Sequence, residues 1–165
     1  IAQALKIIAR QSLSVTDYKL ARKEVYITTA NMASAFQRMI TEPKSKQKGA
    51  KELNKFVVFN HILSSYSVPL LNNVQDADNA SLTGEHIRLV RKTLFLLAQT
   101  IRLFSTDGAE DEFREIEVDT PADLDTNNID SSESRLITEQ LNFLYRIVID
   151  LNKTCEQLVK RRDME

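Results

Sequence analysis

Seven apolar residues near the end of the chain restrict its fold more than anything else in it. Ile137, Leu141, Leu144, Val148, Leu151, Cys155 and Leu158 follow one another at steps of four, three, four, three, four and three. That average of 3.5 residues matches the helical turn and puts all seven on one stripe, the seam of a coiled-coil-like helix. Such a stripe is stable only when other helices cover it. The helix is expected to begin between Ser132 and Ser134 and to finish at Lys160-Arg161-Arg162, where bases suit the negative end of the helix dipole.

Similar patterns recur upstream. Ser14-Val15-Thr16-Asp17 has capping-box spacing, with an acid three residues after a serine. A long helix is expected from about Asp17 to Thr41, with Tyr18, Ala21, Val25, Met32, Phe36 and Met39 at helical spacing. Ala30, Ala33, Ser34 and Ala35 keep it slim enough for a close neighbour. Pro43 ends it, since the residue before proline is disfavoured in the α region. A lysine-studded corner, Lys44 to Lys48, leads through Gly49 into a second helix from about Lys51. Leu53, Phe56, Val57, Asn60, Leu63, Ser67 and Leu70 trace one face, and Val58, Phe59, Ile62 and Tyr66 widen it enough for more than one partner. Leu70, Leu71 and Val74 continue the period past Pro69, so a kink is expected there rather than a stop. Asp76 to Ala80 is a polar connector. A third helix is expected from Ser81 or Thr83, with Ile87, Val90, Leu94, Leu97, Ile101 and Phe104 on one stripe and Leu89, Leu96 and Leu103 on a second, ending at Asp107-Gly108.

Between that stop and the last helix the periodicity fails. From Asp107 to Glu133 there are eleven acids and one base, Arg114, whereas the rest of the chain holds 21 bases and 12 acids. The formal net charge of −1 therefore hides a basic body and an acidic insertion. Residues 107–132 read as a flexible acidic loop, with Glu115 to Val118 as a weak candidate for a short strand. Only three glycines and three prolines occur, which disfavours a turn-rich β sandwich. The fold class expected is all-α: an antiparallel helical bundle of about four long helices, one domain over residues 1–165, with the acidic loop before the last helix. A chain of this length typically buries about 70% of its unfolded-state surface and needs no disulfide or metal staple. Ile1 to about Leu13 reads as the tail of an earlier helix, and the start at Ile1 as a cut from something larger. No run approaches the roughly 20 apolar residues of a membrane span.

The chemistry available is sparse. His61 lies one turn before Ser64 and Ser65, so it can reach either hydroxyl on a helix, and a Ser–His hydrolase is one reading. A polar cluster that fixes helix packing is the other, and it is preferred because no glycine-rich turn offers an oxyanion hole nearby. His86, after Gly84-Glu85 at a helix start, reads as a solvent-facing first-turn residue. Neither histidine has a glutamate three residues before it, which excludes the Glu-x-x-His pattern of di-iron bundles. Phosphate-cradling glycine loops are missing. Cys155 sits in the seam as a small core residue. No catalytic residue, metal or cofactor is expected. Lys44, Lys46, Lys48, Lys51 and Lys55, with Arg88, Arg91, Lys92 and Arg102, read first as a solvated charged face; contact with an anionic membrane leaflet or, without a supporting motif, a nucleic acid are the alternatives.

Two stretches carry a resemblance. "YKLARKEVYITTANMASAFQRMITEPKSKQ" and "FVVFNHILSSYSVPLL" resemble the soluble portion of the fusaric-acid-resistance-like (FUSC) inner-membrane proteins, in particular the YccS/YhfK-like branch. The match covers about Tyr18 to Leu71. Its most specific parts are Ala21-Arg22-Lys23, Ala35-Phe36-Gln37-Arg38-Met39 with Glu42-Pro43-Lys44, and Asn60-His61 with Leu63-Ser64-Ser65. The resemblance implies a helical domain at the cytoplasmic face of a bacterial inner membrane, part of a transport or efflux protein, with an assembly, gating or interaction role. It supplies no catalytic residues: Arg22, Asn31, Arg38, Pro43, His61, Ser64 and Ser65 are motif positions whose role it does not fix. The implied partners are the membrane part of the same polypeptide, further copies of the chain and anionic inner-leaflet lipid, with no nucleic acid expected. The alternatives are the Ser–His hydrolase and a stand-alone helical adaptor or nucleic-acid-binding module.

Overall fold

A computed structural model describes residues 15–76, 83–104 and 132–164 of the chain. Among these residues there are four α-helices, a 3-10 turn and no strand. Helix α1 spans Val15–Thr41, α2 Ala50–Asp76, α3 Gly84–Arg102 and α4 Ser132–Asp163, with the 3-10 turn at Lys44–Lys46. The expected all-α bundle of four long helices is what forms. The helix before Leu13, the acidic loop at 107–132 with its candidate strand, the stop at Asp107-Gly108, and residues 77–80 of the polar connector all lie outside the described residues.

The corner between α1 and α2 is built by three residue types. Pro43 (φ −56°, ψ 143°) leaves the helical region. The Gln47 side-chain amide turns back and donates to the carbonyls of Ile40 and Glu42, at 2.9 and 2.6 Å, meeting acceptors that the end of α1 leaves open. Gly49 takes a left-handed φ of +67°, and its carbonyl accepts the Leu53 N–H at 2.9 Å, opening α2. Helix α2 then runs through Pro69 without stopping.

Helix α4 is the centre of the bundle. It packs along α2 on one side and α3 on another, while α1 packs on α2. Its seam is buried as the spacing required: Ile137, Leu141, Leu144, Val148, Leu151 and Cys155 are at most 3% exposed. Leu70 and Val74 of α2 and Ile87, Leu89 and Val90 of α3 complete the main core cluster, with Leu63 and Leu94 against its edge. Helix α2, with its broad apolar face, thus serves two neighbours.

Contacts between helices set their directions. Asn73 donates to Gln140 at 3.0 Å at one end of α2, and Arg161 to Glu52 at 3.0 Å at the other, so α2 and α4 are antiparallel. The start of α3 meets the start of α4 through His86 and Thr138 (2.9 Å), and its end meets α4 through Thr100 and Asn152 (2.9 Å). Helices α3 and α4 therefore lie parallel within a bundle whose other packed pairs are antiparallel. A parallel pair cannot be joined by a tight turn, so the chain needs a long connection between Phe104 and Ser132.

The buried face of α3 is rotated from the stripe its leucines suggest. Ile87 and Val90 are buried, but Ile101 and Phe104 are exposed, and Thr93 and Thr100 point inward. Each threonine hydroxyl is satisfied locally, donating to the carbonyl four residues back at 2.8 Å. Among the described residues the helix runs to Arg102, and the Phe104 N–H closes a turn on the Ile101 carbonyl. Helix α1 differs most from the others: none of its residues is buried. Of its small residues, Ala33 is half-covered by the hairpin whereas Ala30, Ser34 and Ala35 remain exposed.

Candidate functional site

The motif positions concentrate on the α1–α2 hairpin. His61 is exposed, and among the described residues no hydrogen bond joins it to Ser64 or Ser65. Ser64 is engaged elsewhere. Its hydroxyl donates to the Asn60 carbonyl at 2.8 Å, so its one proton is used. The 3.1 Å contact between Thr29 and Ser64 then runs from the Thr29 hydroxyl to the Ser64 oxygen, crossing from α1 to α2. The three form a relay that sets the register of the hairpin, and a hydroxyl already committed to a carbonyl is poorly placed as a nucleophile. Ser65 is exposed. Among the described residues no group of three or more histidines, cysteines or carboxylates could hold a metal ion.

Arg22 lies over the Tyr26 ring, 5.6 Å from its centroid, a cation–π pair one turn apart on the exposed side of α1. Beside it the Tyr18 hydroxyl is buried and, among the described residues, has no hydrogen-bond partner; it sits at the wall of a cleft of about 90 Å³ between α1 and α2 that Val25, Val68 and Leu71 also line. Asn31 and Arg38 are exposed, and the Arg38 carbonyl accepts the Thr41 hydroxyl at 2.7 Å in the last turn of α1. Pro43 begins the corner. Of these positions, Pro43 turns the hairpin and Ser64 joins its two helices.

The histidine that does matter structurally is the other one. His86 is fully buried, not solvent-facing as expected. It occupies the third position of α3, where a capping box usually has Glu or Gln, and its Nδ1 accepts the Thr83 N–H at 3.0 Å. That assigns the proton to Nε2, which donates across to Thr138 Oγ1 at 2.9 Å and to the Ser134 carbonyl at 3.2 Å. Burial lowers its pKa below the usual 6.5, and the Ser134 carbonyl and nearby Glu85 only partly oppose this. A neutral imidazole therefore clamps the start of α3 to the start of α4. Nothing in the sequence close to His86 announces this, because its partners are 48 and 52 residues away. Cys155 is equally enclosed, and burial, with a smaller contribution from Glu156, pushes its thiol up to about 11. A thiol so placed is inert.

What the hairpin does present is surface. Leu20 is 64% exposed and Ile27 49%, two turns apart along the side of α1 that α2 leaves uncovered, and Val25, Tyr26 and Ile40 are exposed as well. Along its 27 residues α1 therefore carries exposed apolar side chains, and none of its residues is buried. Among the described residues no helix is long and apolar enough to cross a membrane. No family model matches the chain, and neither a curated protein nor a solved structure matches it.

Proposed function

We propose that this chain is a non-catalytic interaction domain, and that α1 is the element through which it assembles. The observation that carries the reading is the surface of α1: among the described helices it packs mainly on α2, buries none of its residues, and leaves Leu20 and Ile27 exposed. Burying two such side chains in a partner interface would contribute on the order of 1.5–3 kcal/mol each, which is the scale of an interface anchor. The wider assignment is a cytoplasmic domain of a FUSC-like inner-membrane transport or efflux protein, its assembly or gating partner being the membrane part of the same polypeptide or a second copy. It rests on the resemblance of Tyr18 to Leu71. The way Pro43, Gln47, Gly49 and the Thr29–Ser64 relay shape the hairpin accounts for the same residues structurally.

The test uses the cysteine chemistry of the chain. Cys155 is buried and unreactive, so Ile27→Cys introduces the sole accessible thiol among the described residues. Photocross-linking of the native gene product in its cells, with a benzophenone maleimide attached to residue 27, is expected to tie that residue to another copy or to another part of the polypeptide. Ile27→Asp together with Leu20→Asp is expected to abolish that assembly while changing the stability of the chain by no more than about 0.5 kcal/mol. Absence of any cross-link would defeat the reading. Labelling by a fluorophosphonate serine probe that disappears in a folded His61→Ala variant would replace it with the hydrolase.

A further inference from the structure

Three stretches far apart in the sequence meet at the corner end of the bundle. Lys44, Lys46 and Lys48 stand in the corner, Lys51 opens α2, and Lys160, Arg161 and Arg162 close α4. All seven are exposed. Arg161 bonds Glu52 at 3.0 Å, and the Gly49 backbone lies against Arg161 and Leu158, so the end of α4 is seated on the corner itself. Helix α3 finishes at the same end. There Phe104 packs against Phe56, with centroids 6.4 Å apart, while remaining 46% exposed, and Ile101 is 42% exposed and Arg102 exposed beside it. Beside these eight bases the described side chains of the corner include two acids, Glu42 and Glu52, and Glu52 is already paired with Arg161.

We propose that this basic end, with Phe104 and Ile101 at its edge, is a docking surface for an anionic lipid bilayer. The chemistry favours a bilayer over a nucleic acid. Five of the eight bases are lysines, hydrated point charges on flexible stems that find headgroups without a fixed register, whereas phosphate backbones in defined geometry are read by arginine forks and rows of aromatic rings. The surface is the blunt end of a helical bundle, and its exposed apolar side chains lie beside the charges, where an interface between headgroups and acyl chains can take them. The inference does not depend on how α1 is covered.

Co-sedimentation of the full chain with vesicles tests it. Binding to phosphatidylglycerol-containing vesicles is expected to exceed binding to pure phosphatidylcholine vesicles by about tenfold or more and to collapse when salt rises from about 0.1 M to about 0.5 M. Each lysine near the surface is worth about fivefold, so Lys44→Gln, Lys46→Gln and Lys51→Gln together are expected to cut binding by about a hundredfold with the melting temperature unchanged. Phe104→Ala is expected to reduce binding without altering its salt dependence. Equal binding to neutral vesicles, or full binding by the triple variant, overturns the proposal. Tighter binding to an oligonucleotide than to the anionic vesicles reassigns the surface to nucleic acid, and salt-sensitive self-association that excludes vesicles reassigns it to a second copy; either result also overturns it.

Discussion

Replacing His86 separates the structural histidine from the rest of the molecule. The ring is fully buried and carries contacts to Thr83, Ser134 and Thr138. His86→Ala removes a buried ring, leaves a void, and strips the Thr83 N–H of its acceptor at the start of α3. A void of that kind plus one orphaned donor costs about 3 kcal/mol, within the range of about 2–5 for large-to-small core changes. For a chain of this size that corresponds to a melting temperature lower by roughly 6–12 °C. The pH dependence gives a second, sharper signature. The folded pKa of His86 is depressed, so the unfolded chain binds the extra proton; its contribution to stability is complete above the ordinary 6.5 and is lost as the pH falls below it. Between about pH 7.5 and about pH 5.5, where carboxylates stay ionised, the loss reaches up to about 1.4 kcal/mol. Urea unfolding of the parent and of His86→Gln, which does not titrate, measures it at both pH values. The parent should lose more stability on acidification than the variant does, with that amount as the ceiling. Equal losses in both, or a cost below about 0.5 kcal/mol for His86→Ala, would show that the ring is not a neutral clamp.

The seam of α4 should be unforgiving: Leu141→Ala, in the middle of the core cluster, is expected to cost about 2–5 kcal/mol in denaturant unfolding. Gly49→Ala should cost about 1–2 kcal/mol, because its φ is +67° whereas the added Cβ would meet Arg161 and Leu158 at an ordinary 3.6 Å or more; Gly49→Asn, better tolerated in the left-handed region, should cost less. The Cys155 thiol, pushed up to about 11, should react with a thiol reagent near neutral pH only in step with global unfolding, and reaction at the rate of a free thiol under native conditions would contradict its burial.

Much of the fold could be read along the chain because helix-forming patterns are local. The seam from Ile137 to Cys155 is buried residue by residue because neighbours flank α4 on both α2 and α3 sides, and an apolar stripe in that position has one place to go. The ends of α1 and the start of α2 were legible for a similar reason: Pro43 and Gly49 act through their own backbones. The reading of His86 failed for the opposite reason. Its position at a helix start argued for solvent, but Ser134 and Thr138 arrive there only through the parallel packing of α3 on α4. A His61–Ser64 contact was open to the sequence but is not the one made, since helical spacing permits it without saying that the Ser64 hydroxyl prefers the Asn60 carbonyl.

By itself the sequence determined that the chain would be helical, where most helices begin and end, and which stripe of the last helix would be covered. These depend on turn chemistry and on a period of 3.6 residues, both properties of neighbouring residues. Only the tertiary structure decided that α3 runs beside α4 in the same direction, that Thr93 and Thr100 face inward while Ile101 and Phe104 face out, that α1 packs mainly on α2 among the described helices, and that two basic clusters over a hundred residues apart share one end. Those outcomes depend on which faces meet, and a face is chosen by competition among all the surfaces the chain offers, not by any one of them.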